Sequence, residues 1–219
     1  MIIGIAGKAR AGKNKFAEYL QMVFNENYGK DFATYAFADE LKKMSKRCFD
    51  LNYDQLWGDL KEENTLFKKK ASNNSEPSDS SVEYWTPREI MQALGAFYRS
   101  IDSDFWIKRL DKKFDRDIKK SIDGGVIITD VRYVNESEYV KKYGILIKII
   151  RDIDYKIHGM HHESEVALDD KPLEYFDLEI YNNGTLEDLY NIAEDSASFI
   201  LKLFELKKYG GKYNGNKEK

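Results

Sequence analysis

Cysteine is nearly absent: Cys48 is the only one in 219 residues. That excludes a disulfide framework and any Cys-built metal knuckle, and it points to a reducing compartment, the cytoplasm. Proline is scarce as well, with three in the chain, which decides nothing about chemistry. Long apolar runs are missing too. No stretch approaches the roughly 20 apolar residues of a membrane span, and the run before the first glycine loop is too short for a secretion signal. Nor is there an excess of positive charge. With 35 basic and 38 acidic residues the net charge is −3, which argues against a nucleic-acid coating protein. Mixed charge runs such as Lys108 to Lys120 read as solvated helix faces.

What is present suits one ordinary domain that folds by itself, since 42% of the residues are apolar. Ile2 to Ala6 reads as a short buried parallel strand. Phe16, Leu20, Val23 and Phe24 recur at helical spacing in a helix from Asn14 that ends near Tyr28-Gly29. Thr34 to Ala38 reads as a second strand, with Asp39 as N-cap of a helix over Glu40 to Phe49. Lys68 to Ser81 is polar and Ser/Asn-rich, and predicts a mobile loop. Thr86-Pro87 with Glu89 is a cap, proline and capping-box sequence opening the next helix. A helix over Asp104 to Lys120 follows, then a strand from Val126 to Thr129 ending at Asp130. Asn135 to Tyr143 is helical, Ile145 to Ile150 and Leu178 to Tyr181 are strands, and Leu186 to Leu206 is the closing helix. Strands alternating with helices predict an α/β fold, a parallel β-sheet with helices layered on both faces.

Two clusters carry chemistry. Gly7-Lys8-Ala9-Arg10-Ala11-Gly12-Lys13 matches G-x-x-x-x-G-K between the first strand and the first helix, the context of a phosphate-binding P-loop. There the backbone amides of Gly7, Ala9, Ala11 and Gly12 curl around a phosphate, the helix N-terminus favours its charge, and Lys13 bridges the β- and γ-phosphates. The position after the lysine is Asn14, followed by Lys15, where Ser or Thr is usual for Mg²⁺; a carboxamide reaches the metal through water. The second cluster is Asp130, Arg132 and Glu136. Asp130 ends a buried strand at the sheet edge where ligands bind, suited to the Mg²⁺ water shell, and Arg132 offers a fork to phosphate. The plainer reading makes Asp130 a helix cap and Arg132–Glu136 a surface pair.

Several blocks together resemble the bacteriophage deoxynucleoside monophosphate kinases, P-loop relatives of adenylate and thymidylate kinases. They are GKARAGK, YAFADELKK (Tyr35 to Lys43), TPREIMQALG (Thr86 to Gly95), the Trp106 segment, TDVRYVNE (Thr129 to Glu136), HESE (His162 to Glu165) and YNNGTLEDL (Tyr181 to Leu189). The resemblance implies an adenylate kinase-like three-layer fold and transfer of a phosphate from ATP, with Mg²⁺, to a deoxynucleoside monophosphate. It places Gly7, Gly12 and Lys13 on ATP, Arg151 as a phosphate or lid arginine, and Asp130, Arg132 and Glu136 on the acceptor side. Arg88, Gln92, Gly95 and Trp106 would line the monophosphate and base pocket, and Asp39 and Lys42 belong to its F-A-D-x-L-K block. The family usually has Asp-Thr where this chain has Asn14-Lys15. The implied layout is a kinase domain over residues 1–206, a flexible insertion near 66–84, a lid-like segment near 152–172 and a disordered tail over 207–219. Partners would be ATP and the monophosphate, with no nucleic acid or membrane, and a homodimer among the assemblies allowed; the location would be the host cytoplasm if a phage encodes it.

All three histidines, His158, His161 and His162, fall close together ahead of Glu163 and Glu165. On a helix His158 and His162 share a face, which permits a zinc site, but a lid position or plain surface fits them better. Two other functions compete with the kinase reading. One is a P-loop small-molecule kinase resembling dephospho-coenzyme A kinase, with a hydroxyl acceptor. The other is a nucleotide-binding protein whose Asn14-Lys15 loop has lost turnover.

Overall fold

The computed structural model describes residues 1–69, 82–118, 124–152 and 163–213. The three histidines, most of the Ser/Asn-rich loop and the tail from residue 214 lie outside the described residues, as does the centre of the expected lid-like segment. Contacts divide the chain into two compact units. Met1–Phe37 and Ile107–Lys219 make the first, and Ala38–Trp106 the second.

The first unit is built on five strands: β1 (Ile2–Ala6), β2 (Phe32–Tyr35), β3 (Gly125–Val131), β4 (Gly144–Ile150) and β5 (Leu178–Tyr181). They form one all-parallel sheet in the order β2-β3-β1-β4-β5, which puts β1 at the centre. Helices α1 (Lys13–Tyr28) and α8 (Leu186–Tyr213) pack on each other and on one face. Ile3, Ile5, Ile127, Ile145, Ile147 and Ile149 bury their side chains there against Phe16, Leu20, Ala193 and Ala197. The opposite face takes α6 (Val134–Tyr143). Gly4 allows that approach: a Cβ there would stand 2.6 Å from a methyl of Val140. Both faces are therefore covered, as a buried parallel sheet requires, and the continuous apolar strands follow from that burial.

The second unit holds α2 (Ala38–Phe49), the single turn α3 (Tyr53–Leu56) and α4 (Pro87–Ile101). Helix α5 (Phe105–Ile118) begins in it and continues in the first unit, whose remaining turn is α7 (Glu163–Val166). Thr86 caps α4 as the sequence indicates: its side chain accepts the Glu89 amide, and the Glu89 carboxylate accepts the Thr86 amide at 2.9 Å.

Three boundaries differ from expectation. β2 begins two residues and ends three residues earlier than Thr34 to Ala38, because Phe32 pairs with Gly125 and the chain has already turned at Phe37, whose amide bonds Asp130. Asp39 therefore sits inside the first turn of α2 and is not its cap. Helix α8 passes Leu206, where Lys207 Nζ reaches Asp177 Oδ1 at 2.7 Å and the Gly144 carbonyl at 2.9 Å.

Candidate active site

The phosphate-type loop leaves β1 at its carboxyl end and enters α1. Gly7 has φ 145° and Gly12 φ 97°, both in the region that favours glycine. Close packing adds a second reason. A Cβ on Gly7 would meet the Ile149 carbonyl at 2.4 Å, and one on Gly12 the Asn182 carboxamide at 2.3 Å. Arg10 takes φ 60°, completing a loop with three left-handed residues. Ala11 N–H turns back to the Lys8 carbonyl at 3.2 Å.

Lys13 is 8% exposed, and its ammonium arches over the loop to the carbonyls of Gly7 and Lys8, both at 2.7 Å. Its charge is thus held at the loop mouth. Asn14 is exposed on the first turn of α1. Lys15 pairs with Glu18 at 2.7 Å, and that hydrogen bond raises its pKa. Lys8 pairs with Asp169 at 3.4 Å, an exposed contact of little energetic weight.

β3 and β4 flank β1, so their carboxyl ends stand on either side of the loop. Asp130 is half-buried, and its Oδ1 accepts the Phe37 amide at 2.7 Å, tying the exit of β2 to the end of β3. Glu136 is 2% exposed, and its Oε2 accepts the amides of Arg132 at 2.9 Å and Tyr133 at 3.1 Å. That oxygen braces the turn carrying Arg132, a positioning part that the sequence alone does not reveal. A cavity of about 490 Å³ opens here, lined by Gly7, Lys8, Arg132, Lys148 and Arg151, with Phe176 and Leu168 as apolar wall. The structure thus gathers the loop, Arg132 and Arg151 at one edge.

The remaining expected residues belong to the second unit. Arg88, Gln92 and Gly95 stand at helical spacing on one face of α4, and the Arg88 Nε–H donates to Glu62. Lys42 rests over the Trp57 ring at 5.5 Å. Trp106 is 2% exposed, its indole N–H donates to the Gly95 carbonyl at 3.3 Å, and its ring packs edge-on to Tyr98 and Phe105. It therefore serves as a core residue of this unit, with its single donor already used.

Two residues passed over by sequence reading belong to the site's architecture. Asn182, 5% exposed, donates from Nδ2 to the Ala11 carbonyl at 2.8 Å and pins the loop to the end of β5. Lys148 lines the cavity from β4, and its signal was legible: one charge interrupts an otherwise apolar strand.

The donors also suit a phosphate-borne Mg²⁺. No group of three His, Cys, Asp or Glu among the described residues would cage a metal, and Asn14 and Asp130 are oxygen donors beside the loop. Mg²⁺ keeps several waters and needs only one or two such protein groups with the nucleotide phosphates. Among the described residues no helix is long and apolar enough to cross a membrane.

Comparison with known proteins finds relatives over most of the chain. A protein of Acanthamoeba polyphaga mimivirus, provisionally described as a deoxynucleotide monophosphate kinase, is 30% identical over 204 residues, covering 87% of this chain and 93% of that one. The deoxynucleotide monophosphate kinase of Escherichia phage RB69 is 32% identical over 113 residues, covering 50% of this chain and 44% of that one. Among solved structures, a dephospho-CoA kinase from Campylobacter jejuni aligns over 96% of this chain and 98% of its own with a TM-score of 0.44 and 15% identity. A family model described as deoxynucleotide monophosphate kinase matches residues 44–192, a span that begins after the glycine loop, so the loop and the match are independent observations. With that match over more than half its length and the mimivirus relative aligned over 87% of it, the chain belongs to the deoxynucleotide monophosphate kinase family.

Proposed function

We propose that this protein transfers the γ-phosphoryl group of ATP to the phosphate of a deoxynucleoside monophosphate, giving ADP and the diphosphate. The observation that carries the reading is the glycine loop with Lys13 held across its mouth, beside a cation-lined cavity at the sheet edge. The amides of Gly7, Ala9, Ala11 and Gly12 hold the donor phosphates, and the Lys13 ammonium exchanges its two loop carbonyls for β- and γ-oxygens. Asn14 and Asp130 would hold a Mg²⁺ ion through its water shell, and the ion would supply charge neutralisation on the donor phosphates. Arg132 receives the acceptor phosphate, with Glu136 fixing its turn, and Arg151 meets charge from the β4 side. Arg88, Gln92 and Gly95 of the second unit are assigned to the monophosphate, with Trp106 supporting them from beneath. Asp39 and Lys42 accompany them.

No general base is needed. The acceptor phosphate, whose second pKa is about 6, already carries the attacking oxygen as an anion at neutral pH. One P–O bond to ADP breaks as one to the acceptor forms, and the rate comes from positioning and charge neutralisation.

The test is a transfer assay with ATP, Mg²⁺ and a panel of deoxy- and ribonucleoside monophosphates. Diphosphate should form, and Lys13→Met should lower kcat about 10²–10³-fold, the scale of losing one preorganised charge donor. Arg132→Ala should raise the acceptor KM while sparing the ATP KM. If nothing on the panel turns over while ADP still binds, the transfer reading fails. The exposed Asn14 in place of a hydroxyl residue then favours a nucleotide-binding protein without turnover.

A further inference from the structure

β4 is apolar except at Lys148. Ile145, Ile147 and Ile149 face the α1–α8 core, so strand alternation turns Lys148 to the opposite face, where it lines the 490 Å³ cavity beside Gly7. The residue is half-buried, and its ammonium rests 4.7 Å over the Phe176 ring. Among the described residues that ring is the one partner its ammonium has, with no hydrogen bond or ion pair made. Withdrawing an ammonium from water without a counter-charge is unfavourable, and a ring face compensates only part of the loss.

The cavity does not supply the missing anion itself. Its two acids have other partners: Asp169 pairs with Lys8 of the same cavity at 3.4 Å, and Asp152 accepts from the Asn183 carboxamide at 2.8 Å. Lys148 and Arg151 thus line the cavity together with Lys8 and Arg132, next to a loop shaped for phosphate.

We propose that Lys148 is a phosphate-contacting residue of this cavity, its ammonium meeting a non-bridging oxygen of a phosphoryl group seated against Gly7. The assignment rests on the phosphotransfer reading for its role in turnover, though not for its role in binding. The oxygen belongs either to the donor's γ-phosphate or to the acceptor's phosphate, and kinetics separate the two.

Lys148→Met keeps the stem over Phe176 and removes the charge, while Lys148→Arg keeps the charge. Lys148→Met should lower kcat/KM about ten- to a hundred-fold, the scale of a hydrogen bond to a charged group, with an unfolding midpoint near wild type. Lys148→Arg should recover much of it. A rise confined to the ATP KM identifies the donor phosphate, and one confined to the monophosphate KM identifies the acceptor. A Lys148→Met enzyme within twofold of wild type overturns the inference. So does a loss that merely tracks the folded fraction, because a packing role over Phe176 predicts that.

Calorimetric titration with inorganic tripolyphosphate gives a readout that needs no turnover. At least tenfold weaker binding by Lys148→Met upholds the inference, and equal affinity overturns it. A wild type that transfers to no monophosphate sinks the kinase reading alone, and this titration still decides the role of Lys148.

Discussion

Asn182 and Gly12 show how narrowly the loop is built. The Asn182 carboxamide lies where a Gly12 side chain would be, and it donates to the carbonyl of Ala11 from 171 positions away. Removing it in Asn182→Ala leaves that buried carbonyl without its donor, at a cost of about 1–3 kcal/mol. Urea unfolding should show the loss, and the loosened loop should raise the KM for ATP more than that for the monophosphate. Equal rises in both would assign Asn182 to general stability instead. Gly12→Ala should be worse, since it combines a left-handed φ of 97° with displacement of Asn182. The motif made Gly7, Gly12 and Lys13 legible because their spacing is local. Asn182 was hidden because no periodicity encodes a contact across that separation. The partner of Trp106 was hidden for a related reason: a Trp at a helix start suits a pocket or a core equally, and the sequence does not show its bond to the Gly95 carbonyl.

Among elements, α4 was the most readable, because Thr86, Pro87 and Glu89 state its start in local chemistry. That cap also has a pH signature. Partial burial would raise the Glu89 pKa, but hydrogen bonds from Lys69 and Thr86 outweigh it and set the carboxyl below its ordinary 4.5. With a folded-state pKa below the unfolded one, the stabilisation is present above about pH 4.5 and is lost as pH falls through the folded value. Glu89→Gln should therefore be less stable than wild type at pH 7, and the gap should close toward pH 3, as followed by denaturant midpoints. A gap constant across that range would show that the charge contributes nothing. Thr86→Ala should cost about 1 kcal/mol, as loss of an N-cap does. The elements that escaped were those fixed from elsewhere. Pairing with β3 places β2, Lys207 carries α8 past its expected end, and the single turn Tyr53–Leu56 is too short to show a period.

At the scale of the whole molecule, the sequence announced a parallel α/β sheet through its apolar strands but did not announce the division into two units. The boundaries at Phe37 and Ile107 fall beside or within helices, with no Pro- or Gly-rich linker to mark them. The loop, Lys13 and Lys148 all belong to the first unit, so a nucleotide diphosphate should bind and stabilise that unit whether or not an acceptor is present. A ligand that binds only the folded state adds RT ln(1 + [L]/Kd), about 2.7 kcal/mol at a hundredfold excess over Kd. For a chain of 219 residues that corresponds to a rise of about 5–10 °C in the melting temperature. ADP with Mg²⁺ should produce this shift in wild type, and Lys13→Met should remove most of it, as read by scanning calorimetry. A shift retained in Lys13→Met would mean that ADP is held somewhere other than the glycine loop. A full shift without transfer would separate binding from catalysis and put the cause at Asn14, the one loop position where the hydroxyl that suits a metal is missing.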